Sequence, residues 1–209
     1  MSGAAELAGT LTATEPGGHG LCVRFHWRGD RYGHTIEALQ SGSAIPLLES
    51  IEGDAHSDWP PSPPFQHVNL SRMAGAPGGQ YAAMLVGAGG KSHWSLCIAA
   101  RDRSSQGQPP GGEAARAELV FDFACRTKVR PAWLGNAYRI LKEPAAAISQ
   151  HAHLVRVSAG KLGCVLLAEQ SRFKFDADAG TIRCCAAATA DAAFPATIRW
   201  RYTVRLAST

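Results

Sequence analysis

The chain has 209 residues, of which 45% are hydrophobic and 18% charged, with a formal net charge of +4. A chain of this length buries roughly 70% of its unfolded surface, so a core closes without metal or disulfides. The mild basicity lacks the dense Lys/Arg clusters with interleaved aromatics of a dedicated nucleic-acid binder, which argues against a nucleic-acid partner.

No apolar run approaches the ~20 residues of a membrane-spanning helix, so no membrane contact is expected. The first twenty residues lack the basic segment and apolar run of a secretory signal, and a cytoplasmic location is the expectation. Residues 1–19 are small and polar and end in Pro16-Gly17-Gly18. They read as a flexible N-terminal arm, with 20–209 as a single β domain.

The first patterned unit is residues 21–39. Gly29-Asp30 suits the centre of a two-residue hairpin turn, because glycine in the first central position supplies the positive φ that the turn requires. Pairing outward sets Trp27 opposite Tyr32, Phe25 opposite His34 and Val23 opposite Ile36, with Arg24, His26 and Glu37 on the other side. One side is apolar and the other polar, so the register is self-consistent.

Further strands are expected at Ile45–Ile51, Gln66–Arg72, Gln80–Val86 and His93–Ala100. Between the first two lies SDWPPSPPFQ, residues 57–66, whose prolines exclude a central strand. It reads as an extended surface connection. Residues 102–116 are rich in Gly, Ser, Gln and Pro and read as a long loop within the domain.

Glu118–Thr127 alternates again, as do shorter stretches at Tyr138–Leu141, Leu154–Val157, Gly163–Ala168, Phe173–Asp176 and Thr181–Ala186. Glu143-Pro144 resembles a helix start. The clearest signal is the last strand: Ile198, Trp200, Tyr202, Val204 and Leu206 alternate with Arg199, Arg201, Thr203 and Arg205. A period of two puts an apolar row on one face and a basic row on the other.

About a dozen short strands with Gly/Pro turns and minimal helix predict an all-β fold. The reading is a single-domain antiparallel β-sandwich, jelly-roll-like or immunoglobulin-like, with a closed barrel as the alternative. Val23, Phe25, Trp27, Phe121, Phe123, Trp200, Tyr202 and Val204 are the expected core.

Several motifs have simpler structural readings. VGAGGKS, residues 86–92, lacks the first glycine of a phosphate loop and is followed by a strand pattern, so a hairpin turn fits it better. Arg28-Gly29-Asp30 fits the hairpin turn already described. DADAG, residues 176–180, begins like a calcium loop but has Ala187 where the bidentate Glu should stand. The six cysteines include no C-x-x-C pair, and four sit in apolar segments, so reduced thiols are expected.

The candidate binding residues are Arg199, Arg201 and Arg205, whose row suits an anionic ligand unless Glu118 or Asp122 neutralises it. Trp59 and Trp133, in proline-containing loops, suit either a sugar face or a staple to the core. His151-x-His153 is similar to the paired imidazoles of cupin barrels, which hold a divalent transition metal. That pattern expects a Glu soon after, where this chain has Val155-Arg156-Val157-Ser158.

The leading functional reading is a binding or interaction module without catalysis or cofactor, its ligand an acidic partner or a carbohydrate. The alternatives are a metal-dependent enzyme on a cupin-like barrel using His151 and His153, and a structural protein that self-assembles through a strand edge as a homodimer.

Overall fold

The computed structural model describes residues 7–54, 57–72, 81–102, 116–141, 150–151, 153–159, 162–186 and 193–208. Among them are fifteen strands and no helix. Among the described residues no helix is long and apolar enough to cross a membrane. The turn of helix expected near Pro144 lies outside the described residues.

The strands form two open antiparallel sheets. The first, sheet A, begins with four hairpin-linked strands: β1 (Leu7–Thr14), β2 (Gly20–Trp27), β3 (Tyr32–Gln40) and β4 (Ser43–Ser50). The chain then crosses to sheet B for β5 (His67–Arg72), β6 (Tyr81–Gly89), β7 (Ser92–Arg101) and β8 (Glu118–Thr127). β9 (Gly135–Ile140) returns to sheet A, and β10 (Gln150–His151), β11 (Leu154–Ala159) and β12 (Leu162–Ala168) go to sheet B. β13 (Ser171–Asp176) and β14 (Thr181–Ala186) complete sheet A, and β15 (Ala196–Ser208) inserts into sheet B.

The spatial orders are β1-β2-β3-β4-β9-β14-β13 and β10-β11-β12-β15-β8-β7-β6-β5. Both sheets have free ends, so the fold is a sandwich and not a closed barrel. Its strand number exceeds the seven to nine of an immunoglobulin domain and the eight of a jelly roll.

The hairpin at residues 20–40 has the register that its alternation implies: Trp27 faces Tyr32, Phe25 faces His34 and Val23 faces Ile36. Gly29 takes φ +99° at the turn. Residues 86–92 form the β6–β7 hairpin, with Gly89 opposite Ser92. Residues 177–180 form a turn in which the Ala179 amide donates to Asp176 Oδ1 at 3.0 Å.

The inner faces meet in one apolar cluster. Between β8 and β15, Phe123 stacks on Trp200 at 4.8 Å and Phe121 on Tyr202 at 4.9 Å, each pair being directly opposed in register. Of the expected core, all but Trp27 are buried. Trp27 is half-buried at the mouth of its hairpin, 4.8 Å from the Tyr32 ring.

Two segments differ from the sequence reading. Residues 7–14 are not a loose arm: they pair along β2 and bury Leu11 and Ala13. Small residues hide this strand from a hydrophobicity pattern, yet each backbone still contributes ladder hydrogen bonds. The segment 57–66 is not a surface connection either. Pro60, Ser62, Pro63, Pro64 and Phe65 are buried, forming a strap that touches Tyr32 and Ala137 of sheet A and Gly87 of sheet B.

Proline makes that strap possible. A buried proline has no N–H to leave unsatisfied. The non-proline groups are paired: Ser62 Oγ donates to the Ala137 carbonyl and accepts from the Ala137 amide, and the Tyr32 amide donates to the Phe65 carbonyl at 2.7 Å. The strap then enters β5 through Gln66, whose carboxamide pairs with both backbone groups of Ala88.

Candidate anion groove and the buried polar chain

The outer face of sheet B carries the basic row of β15. Register fixes what lies beside it. One row runs across the strands as His67, Val86, Ser95, Ala124 and Arg199. The next runs as Ala88, His93, Arg126 and Thr197. These two rows line an open groove of about 610 Å³, completed by Gln66, Gly87 and Trp94.

The three arginines of β15 have different fates. Arg205 Nε donates to Glu118 Oε2 at 3.0 Å, and Glu118 also accepts from Arg101 at 2.9 Å. Arg201 Nε lies 3.0 Å from Glu169 Oε2, an ion pair whose alignment falls short of a hydrogen bond. Arg205 and Arg201 therefore serve intramolecular pairs.

Arg199 differs. It is exposed in the groove, and no carboxylate among the described residues lies within ion-pair distance of it. The same holds for Arg126, on the neighbouring strand and one pair away from Arg199. His93 stands directly opposite Arg126. Asp122, directly opposite Arg201, stands at the other diagonal from Arg199 and makes no ion pair with it. Among the described residues, none lining the groove is Asp or Glu.

No family model matches this chain. Nor does any curated protein match it.

The other sequence candidates lie elsewhere. Trp59 packs edge-on against Trp94 at 6.3 Å and joins the core, so it staples the proline strap. Trp133 is half-buried, with the Arg183 guanidinium 5.9 Å from its ring centre. Neither lines the groove. The backbone of His151 pairs in β10, while His153 follows in an exposed turn, so the two are not same-side positions of one strand. The side chain of His151 lies outside the described residues. Among the described residues no three His, Cys, Asp or Glu side chains converge as a metal-ligand set.

The six thiols are unpaired. Burial pushes those of Cys22 and Cys125 up to about 11 and that of Cys164 up to about 12, and it raises Cys184, Cys97 and Cys185 as well. A thiol that keeps its proton at neutral pH is a poor nucleophile and metal ligand.

A second polar feature crosses the interior and had no sequence signature. His34 Nε2 lies 2.9 Å from Tyr138 Oη, which lies 2.6 Å from Tyr202 Oη. Asn136 Nδ2 donates to Tyr202 Oη at 3.1 Å, and Trp200 Nε1 donates to Asn136 Oδ1 at 3.2 Å. One direction gives each of these four contacts a donor and an acceptor: Trp200 to Asn136, Asn136 to Tyr202, Tyr202 to Tyr138 and Tyr138 to His34. The imidazole is then a neutral acceptor at Nε2. Burial holds His34 down to about 3, which keeps it neutral.

The chain continues toward the outer side of sheet A through backbone. The His34 amide donates to Ser50 Oγ at 2.7 Å, and Ser50 Oγ donates to the His34 carbonyl at 3.0 Å. Ser50 Oγ also contacts Glu52 Oε1. A hydroxyl has one hydrogen, so Ser50 shares its hydrogen between the His34 carbonyl and the Glu52 carboxyl. Burial pushes Glu52 up to about 7, against the opposing pull of Ser50 and Arg28. Gly33 leaves the room for this carboxyl: a Cβ there would lie 2.8 Å from both Glu52 Oε1 and His26 Nε2.

Proposed function

We propose that the protein is a binding module that seats an acidic ligand in the groove on the outer face of sheet B. The observation that carries this reading is the diagonal placement of Arg126 and Arg199 on adjacent strands. Both are exposed and have no carboxylate within ion-pair distance among the described residues, whereas Arg201 and Arg205 on the same face are each matched to an acid. Guanidinium groups bind carboxylate and phosphate through paired N–H donors, so two adjacent forks suit a single oxyanion or a doubly charged one.

Of the two ligand classes left open by the sequence, the groove favours the acidic one. Carbohydrate sites present an aromatic face to the sugar ring. Among the described residues, the one Phe, Tyr or Trp lining this groove is Trp94, which is buried and packs between Trp59 and Trp200. The reading is one of binding and assigns no reaction step.

The test is titration of the purified protein with inorganic phosphate, by calorimetry, at low and at high salt. Binding that weakens as salt rises and is lost in the double variant Arg126→Ala with Arg199→Ala supports the reading, because exposed charges are screened by salt. Binding that the double variant leaves unchanged refutes it.

A further inference from the structure

The groove is polar at one end only. Arg199, Arg126 and His93 gather at the β15–β8–β7 side. Toward β6 the floor becomes apolar: Ala124, then Val86 and Ala88, with Met84 two residues along the same face. Val86 and Met84 are each 47% exposed and are two of the six large hydrophobic side chains exposed among the described residues. Apolar surface next to unpaired cations is costly to leave in water, and one ligand can cover both.

The register gives the dimensions. Arg199, Ala124, Ser95 and Val86 stand in one row across four adjacent strands. Three interstrand steps of 4.7–4.9 Å make a trough on the order of 14 Å long. Its floor residues Ser95, Ala124 and Ala88 are short, so a slender body can lie along it. A volume of about 610 Å³ is far more than one oxyanion fills and lies within the range of organic-ligand sites.

Resting on the binding reading above, we infer that the ligand is an amphipathic organic anion. Its carboxylate or phosphate head lies between Arg126 and Arg199, and its apolar body lies over Ala124, Val86 and Met84. The uneven distribution of charge decides against a polyanion, which would need cations along the whole trough. Beyond Val86 the row ends in His67 and no arginine.

The experiment compares four probes on the intact protein by calorimetry: inorganic phosphate, octyl phosphate below its micelle concentration, octanol, and tripolyphosphate. Octyl phosphate is expected to bind at least tenfold more tightly than inorganic phosphate, since each buried methylene contributes about 0.8 kcal/mol. Octanol is expected not to bind measurably. The variant Met84→Ser with Val86→Thr is expected to weaken octyl phosphate about five- to tenfold and to leave inorganic phosphate unchanged. Both residues are exposed, so an unchanged urea midpoint verifies the fold.

Equal affinities for octyl and inorganic phosphate, both lost in Arg126→Ala with Arg199→Ala, would overturn the amphipathic ligand and leave the anion site standing. Tighter binding of tripolyphosphate than of octyl phosphate would also overturn it, in favour of a polyanion. Failure of every anion to bind, or binding indifferent to the arginines, would remove the anion site and this inference together. Competition of octyl phosphate with phosphatidate-containing vesicles would identify a lipid as the source of the head and tail; tight binding without such competition would identify a free organic acid.

Discussion

Tyr138 and Tyr202 place their hydroxyl oxygens 2.6 Å apart at the centre of the sandwich, one from each sheet. Both side chains are fully buried. The contact joins the sheets by a directed hydrogen bond where apolar packing alone has no preferred orientation. Burial raises both phenols well above their ordinary range, so both stay protonated and able to donate.

Removing either hydroxyl leaves buried partners behind, and such groups cost about 1–3 kcal/mol. Tyr138→Phe strands two, the Tyr202 hydroxyl and His34 Nε2, while Tyr202→Phe strands the Asn136 amide. Both variants are expected to unfold at lower urea, Tyr138→Phe at the lowest. The double variant is expected to lose less than the sum, because the pair is in contact. Strict additivity would show that the hydroxyls do not interact in solution.

Stability is expected to fall on both sides of a slightly acidic optimum. Glu52 has its folded-state value raised from 4.5 to about 7 by burial. The folded state therefore holds a proton that the unfolded state releases, and this contribution is lost as pH rises from about 4.5 through about 7. His34 acts in the opposite sense. It is depressed from 6.5 to about 3, so the folded state resists protonation and stability falls as pH drops below 6.5. In thermal melts across pH, Glu52→Gln is expected to flatten the upper limb and leave the lower one. A variant that kept the upper limb would place the proton elsewhere.

The arginines of β15 are expected to separate by role. Arg205→Ala removes one of the two partners of Glu118 on an exposed face, so a loss of less than about 1 kcal/mol is expected, as is usual for surface pairs. Phosphate affinity should not change. Arg199→Ala should show the reverse, with unchanged urea midpoint and weakened phosphate binding. A stability loss at Arg199 above 1 kcal/mol would show that it serves the fold.

Gly87 marks where the proline strap presses on sheet B. A Cβ at this position would lie 2.0 Å from the Pro64 carbonyl oxygen, a backbone atom that cannot turn aside. Gly87→Ala is therefore expected to be destabilising by about 1–3 kcal/mol through displacement of the strap. Hydrogen exchange should show faster exchange of the Tyr32 amide, which donates to Phe65 of the strap. An unaltered Tyr32 amide would mean that the strap is not held there.

Local pattern was enough to read most of the strands but not β1, and it gave the 20–40 hairpin with its register, the apolar face of β15 and most of the core. Each of these depends on the period of two and on turn residues a few positions apart, and such information is carried by neighbours in the chain. Arg199 was visible for the same reason. What surrounds Arg199 was not. Arg126 comes from a strand more than seventy positions earlier, and Glu169, which neutralises Arg201, comes from a turn that only sheet B brings alongside, whereas Glu118, which neutralises Arg205, is one of the two acids named from the sequence. The chain His34, Tyr138, Tyr202, Asn136 and Trp200 likewise unites β3, β9 and β15 across two sheets. Strand order is set by how whole faces bury against one another, a property of the assembled layers that alternation within one strand does not encode.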